Sequence, residues 1–215
     1  MSFFDLLLAK KTDNKNLPYY KALFVKALGG GGSVLPDDYE EVKGFTMNND
    51  CYFTIDDLYI TGADTLKFSA SITAVCNVLG SYSGSTGGAN YSLYAVTGMG
   101  NYLRYYSGTY NSRMLVDKRY NITITPTGTH GMEVDSTWEE LEFTTTRPFC
   151  IGTTSATSTS AKLKGTLYGH IIVKGKAVFI PCRRKADNVY GYYETYSQTF
   201  YEPIGNPPTP YVEGE

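Results

Sequence analysis

The residues with the clearest capacity for chemistry are Glu133 and Asp135, in the run Glu133-Val134-Asp135. They match the start of Glu-x-Asp-x-(x)-Glu, a pattern that some glycoside hydrolases carry on one strand. In a retaining enzyme the acid and the nucleophile must stand about 5 to 5.5 Å apart. Here positions 137 and 138 are Thr and Trp, and the next carboxylate is Glu139. Along a strand, that separation from Glu133 is on the order of 20 Å, far too long for the reaction. Asp135-Ser136-Thr137 reads better as a hairpin turn between Met132-Glu133-Val134 and Leu141-Glu142-Phe143. A degenerate glycoside hydrolase is therefore the weakest reading, and no catalytic residue is assigned.

The remaining reactive side chains are isolated. His130 lies among glycines and His170 within an apolar run, and neither has a serine, cysteine and acid in a nucleophile context. Cys51, Cys76, Cys150 and Cys182 are widely separated, without a Cys-x-x-Cys pair, and read as small reduced core residues rather than zinc ligands. The pairs Asp37-Asp38, Glu40-Glu41 and Asp56-Asp57 offer oxygen ligands and leave calcium open as a cofactor. No Asp-x-Asp-x-Asp-Gly loop accompanies them, however, and adjacent acids on an extended chain point to opposite faces, so no metal ligand is assigned.

The strongest binding signal is aromatic. Tyr82, Tyr91, Tyr94, Tyr102, Tyr105, Tyr106 and Tyr110 are interleaved with Asn90, Asn101, Arg104, Asn111 and Arg113. Rings beside planar amides and guanidinium groups suit a sugar or a protein partner, because the ring takes an apolar face while fixed donors and acceptors take hydroxyls. Half of these tyrosines are expected in the core. Trp138, at a predicted turn, is a second candidate contact and is equally suited to closing one end of the domain.

These residues require elements to hold them, and the composition specifies the kind. The 215 residues include 20 Tyr, 10 Phe and 22 Gly, a profile of pleated surfaces and tight turns. From Leu35 to Tyr201 short apolar stretches alternate with turn clusters, which predicts an all-β, antiparallel two-sheet sandwich. Strands are expected near 52–55, 66–75, 77–81, 91–96, 101–106, 110–115, 120–125, 132–134, 141–144, 149–152, 164–174, 177–181, 188–194 and 199–201. Turns are expected between them, including one at 126–131. The alternations Ile122-Thr123-Ile124-Thr125 and Leu66-Lys67-Phe68-Ser69 each expose one face and bury the other.

Residues 1–28 differ. Phe3, Leu6 and Leu7 open an apolar patch, and Tyr20, Leu23, Phe24 and Leu28 recur at helical spacing behind Pro18. This predicts a short amphipathic anchor helix, marginal in water without a partner. Residues 29–34, with Gly29-Gly30-Gly31-Gly32-Ser33, form a flexible linker to the domain at 35–201, and 202–215 form a proline-rich tail that lies along the surface or moves. No run reaches the roughly 20 apolar residues of a membrane span, and the opening segment lacks a signal-peptide core. A formal charge of −2 supplies no basic field for nucleic acid.

Two stretches carry a resemblance. Leu35-Pro36-Asp37-Asp38-Tyr39-Glu40-Glu41-Val42 resembles the opening of domains encoded among phage and prophage structural genes. Phe179-Ile180-Pro181-Cys182-Arg183-Arg184-Lys185-Ala186-Asp187-Asn188-Val189-Tyr190-Gly191-Tyr192-Tyr193-Glu194 is similar to the closing hairpin of their concanavalin A-like, laminin-G-type jelly rolls. Lys43-Gly44-Phe45-Thr46-Met47-Asn48 departs from that pattern, and 81–113 matches nothing in it. The hairpin also has a physical reading of its own, with Lys185-Ala186-Asp187-Asn188 as the turn and Pro181 ending the strand pairing.

The resemblance implies a non-enzymatic virion protein, made in a bacterial cytoplasm and displayed as a decoration, fibre or tail adhesin. Its N-terminal segment would dock on other virion proteins, the particle would carry symmetric copies, and the domain would meet host-surface glycans. A free carbohydrate-binding module or lectin is the alternative.

Overall fold

The computed structural model describes residues 35–74, 76–81, 91–94, 102–105, 108–110, 112–139, 144–154 and 162–214. The anchor and the linker lie outside these residues. Among them there is no helix, and hence none long and apolar enough to cross a membrane.

Seventeen strands follow in order. They are β1 Tyr39–Glu41, β2 Gly44–Asn48, β3 Cys51–Ile55, β4 Leu66–Ile72, β5 Asn77–Ser81, β6 Tyr91–Tyr94, β7 Tyr102–Tyr105, β8 Gly108–Tyr110 and β9 Tyr120–Thr125. Then come β10 Gly128–His130, β11 Phe149–Ile151, β12 Lys164–Val173, β13 Ala177–Arg184, β14 Tyr190–Glu194, β15 Thr199–Tyr201, β16 Ile204–Gly205 and β17 Thr209–Pro210. One sheet runs β10-β9-β4-β12-β13-β14-β15 and also takes in β1, β2 and β17; the other runs β16-β3-β11-β5-β6-β7-β8. Every pairing is antiparallel, as expected of a chain with many short strands and no crossover helices.

The two sheets face each other across one apolar core, an arrangement that fits a sandwich. Phe45 on β2 stacks at 6.4 Å on Phe53 of β3 in the opposite sheet, and Tyr192 of β14 meets Phe53 edge-on at 4.9 Å. Both alternations read from the sequence deliver their apolar residues here: Phe68 pairs with Ile122 and Leu66 with Ile124, all buried. Each large side chain so buried contributes about 1.5 to 3 kcal/mol by leaving water. The four cysteines are buried thiols, and burial pushes those of Cys51 and Cys182 up to about 12.

Several expectations are corrected. Pro181 does not end the pairing: β13 continues through Arg184, and Pro181 itself pairs with Tyr192. β12 runs beside β13 only as far as Phe179, and β1 takes its place from Cys182 onward. Pro181 sits at that changeover, where its carbonyl accepts from the Val42 amide at 2.9 Å. A residue without an N–H is tolerated where one neighbouring strand gives way to another.

Segment 132–134 is not a strand; its one ladder pairing is an isolated Arg113–Val134 bridge. The turn expected at 126–131 contains β10, whose Thr129 pairs with Ile124. The tail is not merely extended. β16 pairs with β3 in one sheet and β17 with β2 in the other, so residues 204–210 bridge the two layers.

Candidate functional site

β1 and β2 form one interrupted strand, and the interruption makes the site. β1 lies against β13 and β2 against β12, so the chain crosses between them at Val42 and Lys43. Opposite this crossing, β12 bulges: its register against β4 shifts between Tyr168 and Ile172. Gly169 takes φ +58 there and donates its amide to the Lys43 carbonyl at 2.8 Å. Glycine adopts that left-handed backbone without the steric penalty a Cβ brings. A bulge bends its strand and redirects the neighbouring side chains.

The result is an open groove of about 610 Å³ on the outer face of the ten-stranded sheet, lined by Glu41, Val42, Lys43, Arg119, His170, Tyr211 and Glu213. It continues past Tyr168 and His170 into a shallower trough of about 250 Å³ that includes Lys67, Ser69, Asn121 and Thr123. Tyr168 is the hub. The Arg119 guanidinium lies over its ring at 4.2 Å, Tyr211 meets it edge-on at 4.8 Å, and its hydroxyl pairs with Ser71 Oγ at 2.9 Å. Arg119 Nε donates to Ser69 Oγ at 3.0 Å, which fixes the guanidinium plane. His170 Nε2 pairs with Glu41 Oε1 at 2.8 Å. Lys43 binds Glu213 and holds its carboxyl below the usual carboxylate range.

A groove of this kind can hold a ligand. Glu133, the residue that first suggested hydrolysis, is exposed elsewhere. It accepts from Lys118 Nζ at 2.7 Å and from Tyr120 Oη at 3.0 Å, and both bonds lower its pKa. A general acid needs the opposite shift. Asp135 accepts from the Met132 amide at 3.0 Å and serves its own turn. Among the described residues no group of three or more His, Cys, Asp or Glu side chains could hold a metal ion. Glu40 pairs with Arg183, and Glu41 shares a hydrogen bond with His170, so both acids already have partners.

The aromatic residues singled out in the sequence are placed as follows. Tyr82 and Tyr106 lie outside the described residues, as do the anchor residues Phe3, Leu6, Leu7, Tyr20, Leu23, Phe24 and Leu28. Tyr91 pairs with Tyr105, Tyr94 with Tyr102, Ser92 with Arg104 and Leu103 with Tyr110. Their backbones are thereby brought side by side in consecutive antiparallel hairpins. Trp138 is 9% exposed, lies in the core, and donates its indole N–H to the Pro126 carbonyl at 2.8 Å. It closes the end of the sandwich beside β9 and β10.

The groove residues Tyr168, Arg119 and Tyr211 were not singled out from the sequence. Their signal is Gly169, a glycine interrupting an otherwise continuous strand pattern, which marks a bulge or a close backbone approach. No protein-family model matches the chain, and no curated protein matches its sequence.

Proposed function

We propose that this protein is a non-enzymatic component of a phage or prophage particle, a jelly-roll decoration or adhesin that binds cell-surface carbohydrate through the groove at Tyr168. The groove carries the carbohydrate part of the reading. It offers a ring held by Arg119, Tyr211 and Ser71, with the polar residues Ser69, Asn121 and Thr123 alongside. Rigid aromatic and polar groups suit a sugar, which presents both apolar faces and hydroxyls. The virion part is supported by the two family-like motifs and by the order of an amphipathic segment, a glycine run and a domain in the sequence. The particle would carry several copies, held by residues 1–28.

Two measurements test the two parts. Deleting residues 1–32 should abolish incorporation into particles while leaving a folded domain, and normal incorporation of the truncated protein would refute docking. A glycan array should show binding that Tyr168→Ala removes. Loss on Tyr102→Ala instead would move the site to the tyrosine-rich hairpins. Glycan binding without any particle association would favour the free lectin.

A further inference from the structure

The charge of the groove is not that of the protein. Its walls carry Lys43, Lys67 and Arg119 against Glu41 and Glu213, an excess of one positive charge on a chain whose formal charge is −2. The pairing is uneven as well. Glu213 is bound by Lys43 and Glu41 by His170, whereas among the described residues neither Arg119 nor Lys67 has a carboxylate partner within hydrogen-bonding distance.

Arg119 is also oriented. With Nε on Ser69 and its plane against Tyr168, the edge formed by its two terminal nitrogens has no acceptor among the described residues. That edge is the part of a guanidinium that takes a carboxylate through two parallel hydrogen bonds. Lys67 lies two residues from Ser69 on the same face of β4, about 7 Å along the strand.

From this geometry we infer that the groove takes an acidic saccharide, a polymer bearing a carboxylate on its sugar ring. One carboxylate sits on the free edge of Arg119 and a neighbouring one lies within reach of Lys67. The inference rests on the carbohydrate reading above and narrows it to the uronate class. Tyr168 and Ser69 act as positioning residues for Arg119, while Asn121 and Thr123 meet hydroxyls beside the charge.

The test compares oligomers of galacturonate, mannuronate and glucuronate with their methyl esters of equal length, by calorimetry on the full chain. Esterification removes the charge and leaves the ring and the hydroxyls in place. At least one acid form should bind about tenfold or more tighter than its ester, as a charge-assisted bidentate pair requires, and should weaken as salt rises. Arg119→Gln should abolish the difference, Arg119→Lys should keep only part of it, and Lys67→Gln should reduce it, with thermal unfolding unchanged in each.

Equal binding of acid and ester, or binding of neutral glycans alone, overturns the acidic preference and leaves the carbohydrate reading standing. Binding of no saccharide overturns both. Dextran sulfate or polyphosphate bound as tightly as the uronates, and insensitive to Arg119→Lys, overturns it in favour of unselective attraction for polyanions.

Discussion

The outer face of the ten-stranded sheet has two halves of opposite character. Over β13 and β14 it is apolar: Val178, Ile180, Cys182 and Tyr193 form a second, smaller core with Leu35, and Tyr39, Ile172, Tyr196 and Phe200 pack against it. Over β2, β4, β9 and β12 it is polar, with Thr46 against Thr166, Ser71 against Tyr168, and Ser69 under Arg119. The apolar half is sealed by the chain itself, since Tyr39 lies against Tyr193 at 5.1 Å and against Phe200 at 5.2 Å. On the polar half, Arg119 and Tyr211 of the tail lie against Tyr168. One half of a single sheet face is thus a second apolar core, and the other presents an open polar groove.

The largest effect should come from Ile180→Ala, which opens a cavity in the sealed half and should cost about 2 to 4 kcal/mol in denaturant unfolding without altering the groove. A loss below about 1 kcal/mol would mean that the outer core contributes little and that the contrast fails. Next, Gly169→Ala has free space for its methyl group but must hold φ +58. It should cost about 1 to 2 kcal/mol and weaken ligand binding together with stability, because the bulge shapes the groove.

Ser71→Ala removes one hydroxyl partner of Tyr168 and should cost about 1 kcal/mol or less in unfolding. A larger loss would show the polar half to be structural after all. The smallest effect concerns acid. Glu213 has a folded pKa below its ordinary value, so its pairing stabilises the fold above that ordinary value, near about 4, and is lost as pH falls through the lower folded one. Thermal melts of Glu213→Gln and the parent should therefore differ at neutral pH and converge in that acid window. A difference that persists through it would place the pairing elsewhere.

The sequence made the sheets legible where apolar residues alternate and turns are marked. β9 and β15 fall on their expected ranges because Tyr120–Thr125 and Thr199–Tyr201 are each bounded by polar or proline-bearing turns. β1 was hidden by its charge: Tyr-Glu-Glu pairs along β13 through its backbone while both glutamates point to solvent. β2 alternates clearly, with Phe45 and Met47 buried and Thr46 and Asn48 exposed, but it departs from the family-like pattern around it. The groove was the least legible part. It joins Lys43, Arg119, Tyr168 and Tyr211, which are distant in sequence and meet only because β12 and β13 part and two other segments fill the space. No local periodicity encodes such a junction.

The pairing of β17 with β2 also has a mechanical consequence. Thr209 and Pro210 lie opposite Thr46 and Phe45, the Tyr211 amide donates to the Gly44 carbonyl, and Lys43 binds Glu213. The chain on either side of this antiparallel pair therefore leaves it at the same end. Tension between residues 43 and 213 would load these contacts one at a time, as in a zip, and not all together in shear. The first to yield would be Lys43 with Glu213 and then Tyr211, which are the groove's own wall, so a pull on the tail would release a bound ligand before it disturbed either core.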